Sequence, residues 1–293
     1  GNFHDGTYAS SLKVSEIHEL DVLTLVCDYY LNSSDVASGI DKWLEANSVS
    51  PYYFRMKLLR ANLYVKEGKY ADALEGYALC KSGAESNEEF KEYKPYVNSN
   101  IKENERIEAV LYEAIANINI GKILEAERLL ASVDGAHAHK NNITYYSAYI
   151  KYIEKDYEGA LPGFIEIVDY SEFRDKVPVL IADCYLNTNN PSEALATIEV
   201  FREQNGKTDL EAECNRIEGE AFYMKKDYAN AIAKLTSYIE GTESPKRTAL
   251  YKLGMCHFEE KAYAKSASCL SRSAGTERDA MAQSAWFHAG IAY

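Results

Sequence analysis

Positive charge is scarce in this chain. Its 293 residues carry 32 Lys and Arg against 45 Asp and Glu, a net charge of −13 with pI ≈ 5.0. Phosphate backbones and anionic headgroups are bound by clustered cations that release counterions, so nucleic acid is excluded as the expected partner. The pairs Lys225-Lys226 and Lys246-Arg247 read as solvated helix ends. Long apolar runs are also missing: no stretch of about 18 uncharged apolar residues is present to span a bilayer. The 6 cysteines show neither Cys-x-x-Cys nor Cys/His ligand spacing. A Gly-rich phosphate loop, a Gly-x-Ser-x-Gly elbow and a His-Glu-x-x-His helix are all lacking. Adjacent carboxylates such as Glu88-Glu89 and Glu259-Glu260 point about 100° apart on a helix and form no acid–base pair. The expectation is a chain that is not an enzyme and needs no cofactor or metal.

What is present is self-similarity. A small residue followed twelve positions later by another recurs as Ala61/Ala73, Ala114/Ala126, Ala148/Ala160, Ala182/Ala194, Gly219/Ala231 and, more weakly, Gly254/Ser266. Gly290 opens a further copy. The first members lie 53, 34, 34, 37, 35 and 36 residues apart. Two antiparallel helices approach to about 8 Å only where neither carries a bulky side chain at the crossing, so each pair predicts a tight helical hairpin. Bulky residues three before the second anchors (Tyr70, Ile123, Tyr157, Tyr228, Tyr263) and four after them (Tyr77, Leu130, Phe164, Ile198, Leu235, Leu270) are expected to wedge between hairpins. Pro191, at the first turn of a second helix, costs little. Turn-like stretches such as Glu67-Gly68-Lys69 and Asn189-Asn190-Pro191 separate the helices.

The pattern small-x-x-aromatic, turn, Tyr-x-x-Ala-x-x-x-aromatic resembles the tetratricopeptide repeat over residues 54–293, with Tyr157-Glu158-Gly159-Ala160-Leu161 and Tyr228-Ala229-Asn230-Ala231-Ile232 as close matches. Segments such as Tyr145–Tyr152 followed by Lys155-Asp156-Tyr157 are similar to large cell-envelope repeat proteins of the Bacteroidetes. The resemblance implies an all-α, right-handed superhelical α-solenoid of antiparallel hairpins, about seven repeats with the first degenerate and the last truncated. It also implies a concave face lined by first helices, at positions three before, one after and four after each first anchor. These share one helix face. Carried over, they give Leu58, Asn62 and Val65, then Leu111, Ile115 and Ile118. They continue as Tyr145, Tyr149 and Tyr152; Val179, Asp183 and Leu186; Arg216, Glu220 and Tyr223; Tyr251, Met255 and Phe258. The expected binding set is Tyr145, Tyr149, Tyr152, Asp183, Arg216, Glu220, Tyr223, Tyr251, Met255 and Phe258. Packing between helices competes as an explanation for the Tyr-rich strips. Arg216 and Glu220, at i and i+4, could also simply pair. Some relatives clamp a C-terminal carboxylate with Asn and Lys. Asn62 and Lys66 have no cationic counterpart on the following helix, which argues against that ligand.

Residues 1–17 are expected as a tail and 18–293 as one solenoid domain. Within it, 18–50 reads as a degenerate first hairpin whose faces carry Leu20, Leu23, Val26 and Cys27, then Ile40, Trp43 and Leu44, with Leu25 at the small position. Residues 81–105 read as an exposed insertion containing a short helix. The ending Trp286 to Tyr293 lacks a polar cap, so a fragment of a longer repeat array is expected. Cys184 and Cys256 share one register, two residues after an anchor, which predicts buried free thiols. His137 and His139 beside Asp134, and His257 in a first helix, read as solvent-exposed and packed histidines respectively. The functional expectation is a non-catalytic scaffold binding a peptide or protein segment on the concave face. A glycan-binding envelope component is the alternative, to be recognised by parallel aromatic faces. The implied location is the periplasm or cell envelope if the Bacteroidetes resemblance holds, and the cytoplasm otherwise.

Overall fold

The computed structural model describes residues 14–84, 86–87, 92–93, 95–133, 138–206 and 208–292. They form two compact units, Gly1–Tyr146 and Ser147–Tyr293. In the first lie α1 (Val14–Tyr30), α2 (Val36–Ala46), α3 (Tyr53–Lys66), α4 (Tyr70–Ser82), α5 (Glu103–Asn119) and α6 (Ile123–Ala131). Helix α7 (Lys140–Ile153) begins there and ends in the second unit. The second unit continues with α8 (Tyr157–Ile167), α9 (Val177–Asn187), α10 (Pro191–Asn205), α11 (Glu211–Met224) and α12 (Tyr228–Glu240), then α13 (Arg247–Glu259), α14 (Tyr263–Ala274) and α15 (Ala280–Ala292). The arrangement is that of helix-hairpin repeats.

All six anchor pairs are buried, including Gly219, Gly254 and Ser266. A Cβ on Gly219 would stand 2.6 Å from Leu235 Cγ and 3.0 Å from its backbone nitrogen, and one on Gly254 would stand 2.7 Å from Leu270 Cγ. The small residues are therefore what lets each second helix close on its first. Residues four past the second anchor, from Tyr77 to Leu270, are all buried. The residues three before it behave differently. They open the second helix and are half-buried or exposed, and Tyr157, Tyr228 and Tyr263 lean against Tyr152, Tyr223 and Phe258 at the end of their own first helix.

Every one of these hairpins turns the same way. A left-handed residue follows the first anchor by seven positions: Gly68, Gly121, Lys155, Asn189, Lys226 and Lys261, with φ between 59° and 79°. The next N–H reaches back to the carbonyl five residues earlier (Lys69 to Tyr64, Asp156 to Lys151, Asp227 to Phe222, each within 2.8–2.9 Å), and the left-handed residue's own N–H to the one three earlier. This is the Schellman closure, which satisfies the last helical carbonyls. Asp156 and Asp227 then cap the following helix, accepting from the Gly159 and Asn230 N–H groups.

Three local expectations need correction. Helix α1 starts at Val14, inside the span expected to be a tail, while residues 1–13 lie outside the described residues. Its buried stripe is Val22, Val26 and Tyr29, whereas Leu20, Leu23 and Cys27 are exposed. The shift follows from Tyr29, whose hydroxyl donates to Glu108 at 3.0 Å and accepts from Asn62 at 3.3 Å, fixing the helix rotation. Leu25 is accommodated by Gly39, where a Cβ would meet it at 2.9 Å. In the insertion, the described residues form a two-stranded antiparallel ladder, β1 (Ser86–Asn87) with β2 (Glu92–Tyr93), rather than a helix. Tyr96 then turns inward. It is fully buried and donates to Glu113, which also pairs with Lys81 at 2.6 Å.

Cys80, Cys184, Cys214 and Cys256 are buried free thiols. Burial pushes Cys80, Cys184 and Cys256 up to about 12 and Cys214 to about 11. His137 and Asp134 lie outside the described residues. His257 is buried, and burial lowers its pKa.

Two substitutions separate packing from helix propensity. Gly219→Val should destabilise by about 1–3 kcal/mol through overpacking. Gly290→Ala, where nothing lies within 4 Å, should stabilise by about 0.8–1 kcal/mol. Urea unfolding of both variants reads the difference. A thiol reagent at pH 8 should label Cys27 at once and leave Cys80, Cys184, Cys214 and Cys256 unlabelled until denaturant is added, because only thiolates react. Prompt labelling of those four would contradict their burial.

Candidate functional site

The first helices of the second unit bring the charged centre of the expected set together. Arg216 on α11 is nearly fully buried, as are Asp183 on α9 and Glu220 on α11. Its guanidinium meets Asp183 at 2.5 Å, Glu213 at 2.7 Å and Glu220 at 3.2 Å. Tyr152 on α7 donates its hydroxyl to the second oxygen of Asp183 at 2.6 Å. At the other end Lys252 of α13 pairs with Glu220, and Lys246, just before α13, pairs with Glu213 at 2.8 Å. Four consecutive first helices are thus stitched by one chain of charge-assisted bonds. Burial alone would lower the Arg216 pKa, but Glu213, Asp183 and Glu220 hold it well above its ordinary value. Burial and the adjacent Asp183 charge push the Tyr152 phenol up, so it stays a donor. For Glu213, burial is outweighed by the Arg216 and Lys246 contacts and its pKa falls.

Over this network lies a concavity of about 410 Å³, lined by Tyr152, Tyr157, Asp183, Arg216, Glu220 and Lys252 with Lys155, Lys246 and others at its edge. Of the aromatic members of the set, Tyr152 lines it, and all of them are half-buried. Tyr149 and Tyr152 stack at 6.1 Å and 20°. Tyr251 shares a hydrogen bond with Ser284 of α15 at 2.8 Å. Phe258 meets Tyr263 and His288 edge-on, and Met255 packs on the cluster of Leu270, Ala282 and Ala285. Tyr223 tilts over Tyr228. Tyr145, earlier on α7 in the first unit, sits edge-on to Tyr146. Asn62 is a fully buried core residue, bonded to the Tyr77 and Tyr29 hydroxyls. Sequence reasoning missed Glu213, Lys246 and Lys252. The signal that could have found them is opposite charge 32 or 33 residues apart, one repeat on, as in Glu220/Lys252 and Glu213/Lys246. No group of three or more potential metal ligands occurs among the described residues, and no helix there is long and apolar enough to cross a membrane.

A family model described as tetratricopeptide repeat matches residues 179–247, from α9 to the start of α13. Outside that span the hairpins keep the same closure and the same fold. Among solved structures, a tetratricopeptide repeat protein from Parabacteroides merdae is similar, with TM-score 0.53, 11% identity, 94% of this chain covered and 99% of that one. The APC/C hetero-tetramer Cut9-Hcn1 gives TM-score 0.54 at 15% identity, covering 97% of this chain and 52% of that one. The apo form of RapI gives 0.57 at 12%, covering 94% and 81%. At such identities the likeness is one of fold. The first of these comes from the Bacteroidetes, the group whose repeat proteins the Tyr-rich segments resemble. Comparison with curated proteins finds no match.

Arg216→Met should destabilise the second unit by about 3–5 kcal/mol, because it strands Asp183 and Glu220 as buried charges. Tyr152→Phe, which removes one donor, should cost about 1.5–3 kcal/mol at most, the worth of a hydrogen bond to a charged group. Chemical unfolding of the two variants should rank them in that order.

Proposed function

We propose that the chain is a non-catalytic interaction scaffold and that a peptide or protein segment lies across the first helices of the second unit. The tetratricopeptide repeat fold is the general ground, since it suggests a scaffold that holds protein partners. The observation that carries the proposal is the set of half-buried aromatic side chains Tyr149, Tyr152, Tyr223, Tyr251 and Phe258 on the first helices of the second unit, with Tyr152 lining a concavity whose buried charges are already neutralised by one another. Such rings offer apolar area with a polar tip and dominate interface energetics. The carboxylates beneath them are tied to Arg216 and Lys252, so they fix the helices rather than stand poised for proton transfer. Cut9, a structural neighbour, occurs in a hetero-tetramer with Hcn1, in keeping with this use of the fold. Glycan binding is less well supported. The near-parallel pair Tyr149 and Tyr152 is in ring-to-ring contact at 6.1 Å and is not held apart to admit a sugar.

Peptides selected from a display library against the full chain test this reading. Tyr149→Ala/Tyr251→Ala should weaken the best peptide by about 2 kcal/mol, roughly thirtyfold, by isothermal titration. Melting of the same samples is the control. A double variant that melts earlier yet binds as well as the parent would make these rings core residues and refute the proposal.

A further inference from the structure

Helix α9 presents a second cavity on its opposite side. Pro178, Ile181 and Tyr185 follow i, i+3, i+7 spacing, and Ile181 and Tyr185 each lie two residues from Asp183, about 200° around the helix. The linker from α8 to α9, residues 168–176, is longer than the later linkers of the unit at 206–210, 241–246 and 275–279. Phe173, 1% exposed, pins it down. Between this linker, α9 and α10 remains a cavity of about 690 Å³, within the range of about 300–1,000 Å³ that ligand sites occupy. Its floor is Pro178, Ile181 and Phe201, and Val200, half exposed, forms one wall.

Four of its polar side chains are uncommitted, which sets it apart from the concavity over Arg216. Asp169 and Arg174 on the linker, the Tyr185 phenol and the Gln204 amide all line it. Among the described residues none of these four side chains has a hydrogen-bond or ion-pair partner. Asp169 and Arg174 share the lip without pairing with each other. A ligand covering them must replace their water with matched groups, because an unmatched desolvated charge is costly. An apolar floor with one acidic and one basic group at the lip selects an apolar body bearing a base and an acid.

We propose that this cavity is a second peptide site, taking a short apolar stretch flanked by one basic and one acidic side chain. It does not depend on the first-helix site. The apolar side chains rest on Ile181 and Val200, the base faces Asp169 and the acid faces Arg174.

The probe is a fluorescein-labelled, end-blocked peptide of sequence lysine-leucine-phenylalanine-leucine-glutamate, titrated with the full chain by fluorescence anisotropy. Saturable binding is expected, weakened about tenfold by Val200→Asp and by Arg174→Glu and unchanged in Tyr149→Ala/Tyr251→Ala. A version with three serines in place of the apolar residues should not bind. Both substituted positions are exposed at the surface, and circular dichroism checks that the variants fold. Three results would overturn the proposal: no saturation by about 1 mM peptide, binding indifferent to Val200→Asp or to Arg174→Glu, or an equal loss in the tyrosine double variant. The last would leave the first-helix reading standing. Failure of that reading alone would leave this cavity's binding intact.

Discussion

Close approach of paired helices at the small anchors is the constraint on which the other features rest. With Cβ atoms absent or minimal at Ala61, Ala114, Ala148, Ala182, Gly219 and Gly254 and at their partners, the second helix lies against the first. The residue four positions further on, from Tyr77 to Leu270, is then driven into the interior. Burying such a side chain contributes about 1.5–3 kcal/mol, and the term recurs in every hairpin. Bulk at an anchor would push the helices apart and expose that residue as well, so the local packing rule and the burial of the core are one requirement.

The same stacking decides where charge can be hidden. Consecutive first helices stand side by side, so residues one repeat apart in sequence face each other. Asp183 and Arg216 meet over 33 residues, and Glu220 and Lys252 over 32. Each charge in this row has at least one opposite neighbour, which is the condition under which ions tolerate burial. The first unit solves its own interior with largely different chemistry. There Tyr29, Asn62 and Tyr77 share hydroxyl and amide bonds ending on Glu108, and a tightly buried ion pair, Arg55 with Glu105 at 2.6 Å, joins α3 to the start of α5. Burial raises the Glu108 carboxyl above its ordinary value, with the Tyr29 and Tyr30 hydroxyls only partly offsetting it. Directional bonds between specific atoms tie both interiors, so each unit has a fixed register as well as a hydrophobic core.

The hairpins were legible because their signal is local and repeated: a small residue, twelve positions, another small residue. Helical periodicity likewise puts Tyr149 and Tyr152, at i and i+3, on one face of α7, where their rings stack. Side-chain reach across repeats was not legible. Glu213 and Lys252 occupy positions that periodicity alone leaves neutral, and only the stacking shows that they complete the row. Helix α1 was rotated relative to expectation because its exposed leucines draw the apolar stripe in sequence, whereas the deciding interaction is a hydroxyl of Tyr29 rather than apolar bulk. The insertion after α4 misled for a related reason. Its polar composition suggests solvent, but a single buried Tyr96 governs where its end lies.

The lengths of the connections fall into two kinds. From α3 to α14, every turn inside a hairpin is three residues long, while the linkers between these hairpins run from five residues at 206–210 to twenty at 83–102. The left-handed residue seven positions past the anchor ends the first helix, and the second anchor twelve positions past it starts the next in register. A residue added inside a hairpin would therefore break the closure and the crossing together. One added between hairpins only lengthens a surface loop, at an entropic cost that grows slowly with length. The fold thus confines its own evolutionary variation to alternate connections, and both the strand-bearing insertion and the linker over the second cavity occur at such permitted places. New recognition surfaces in a protein built this way are expected to arise along the edge where one hairpin hands over to the next, without disturbing the pairs that hold it together.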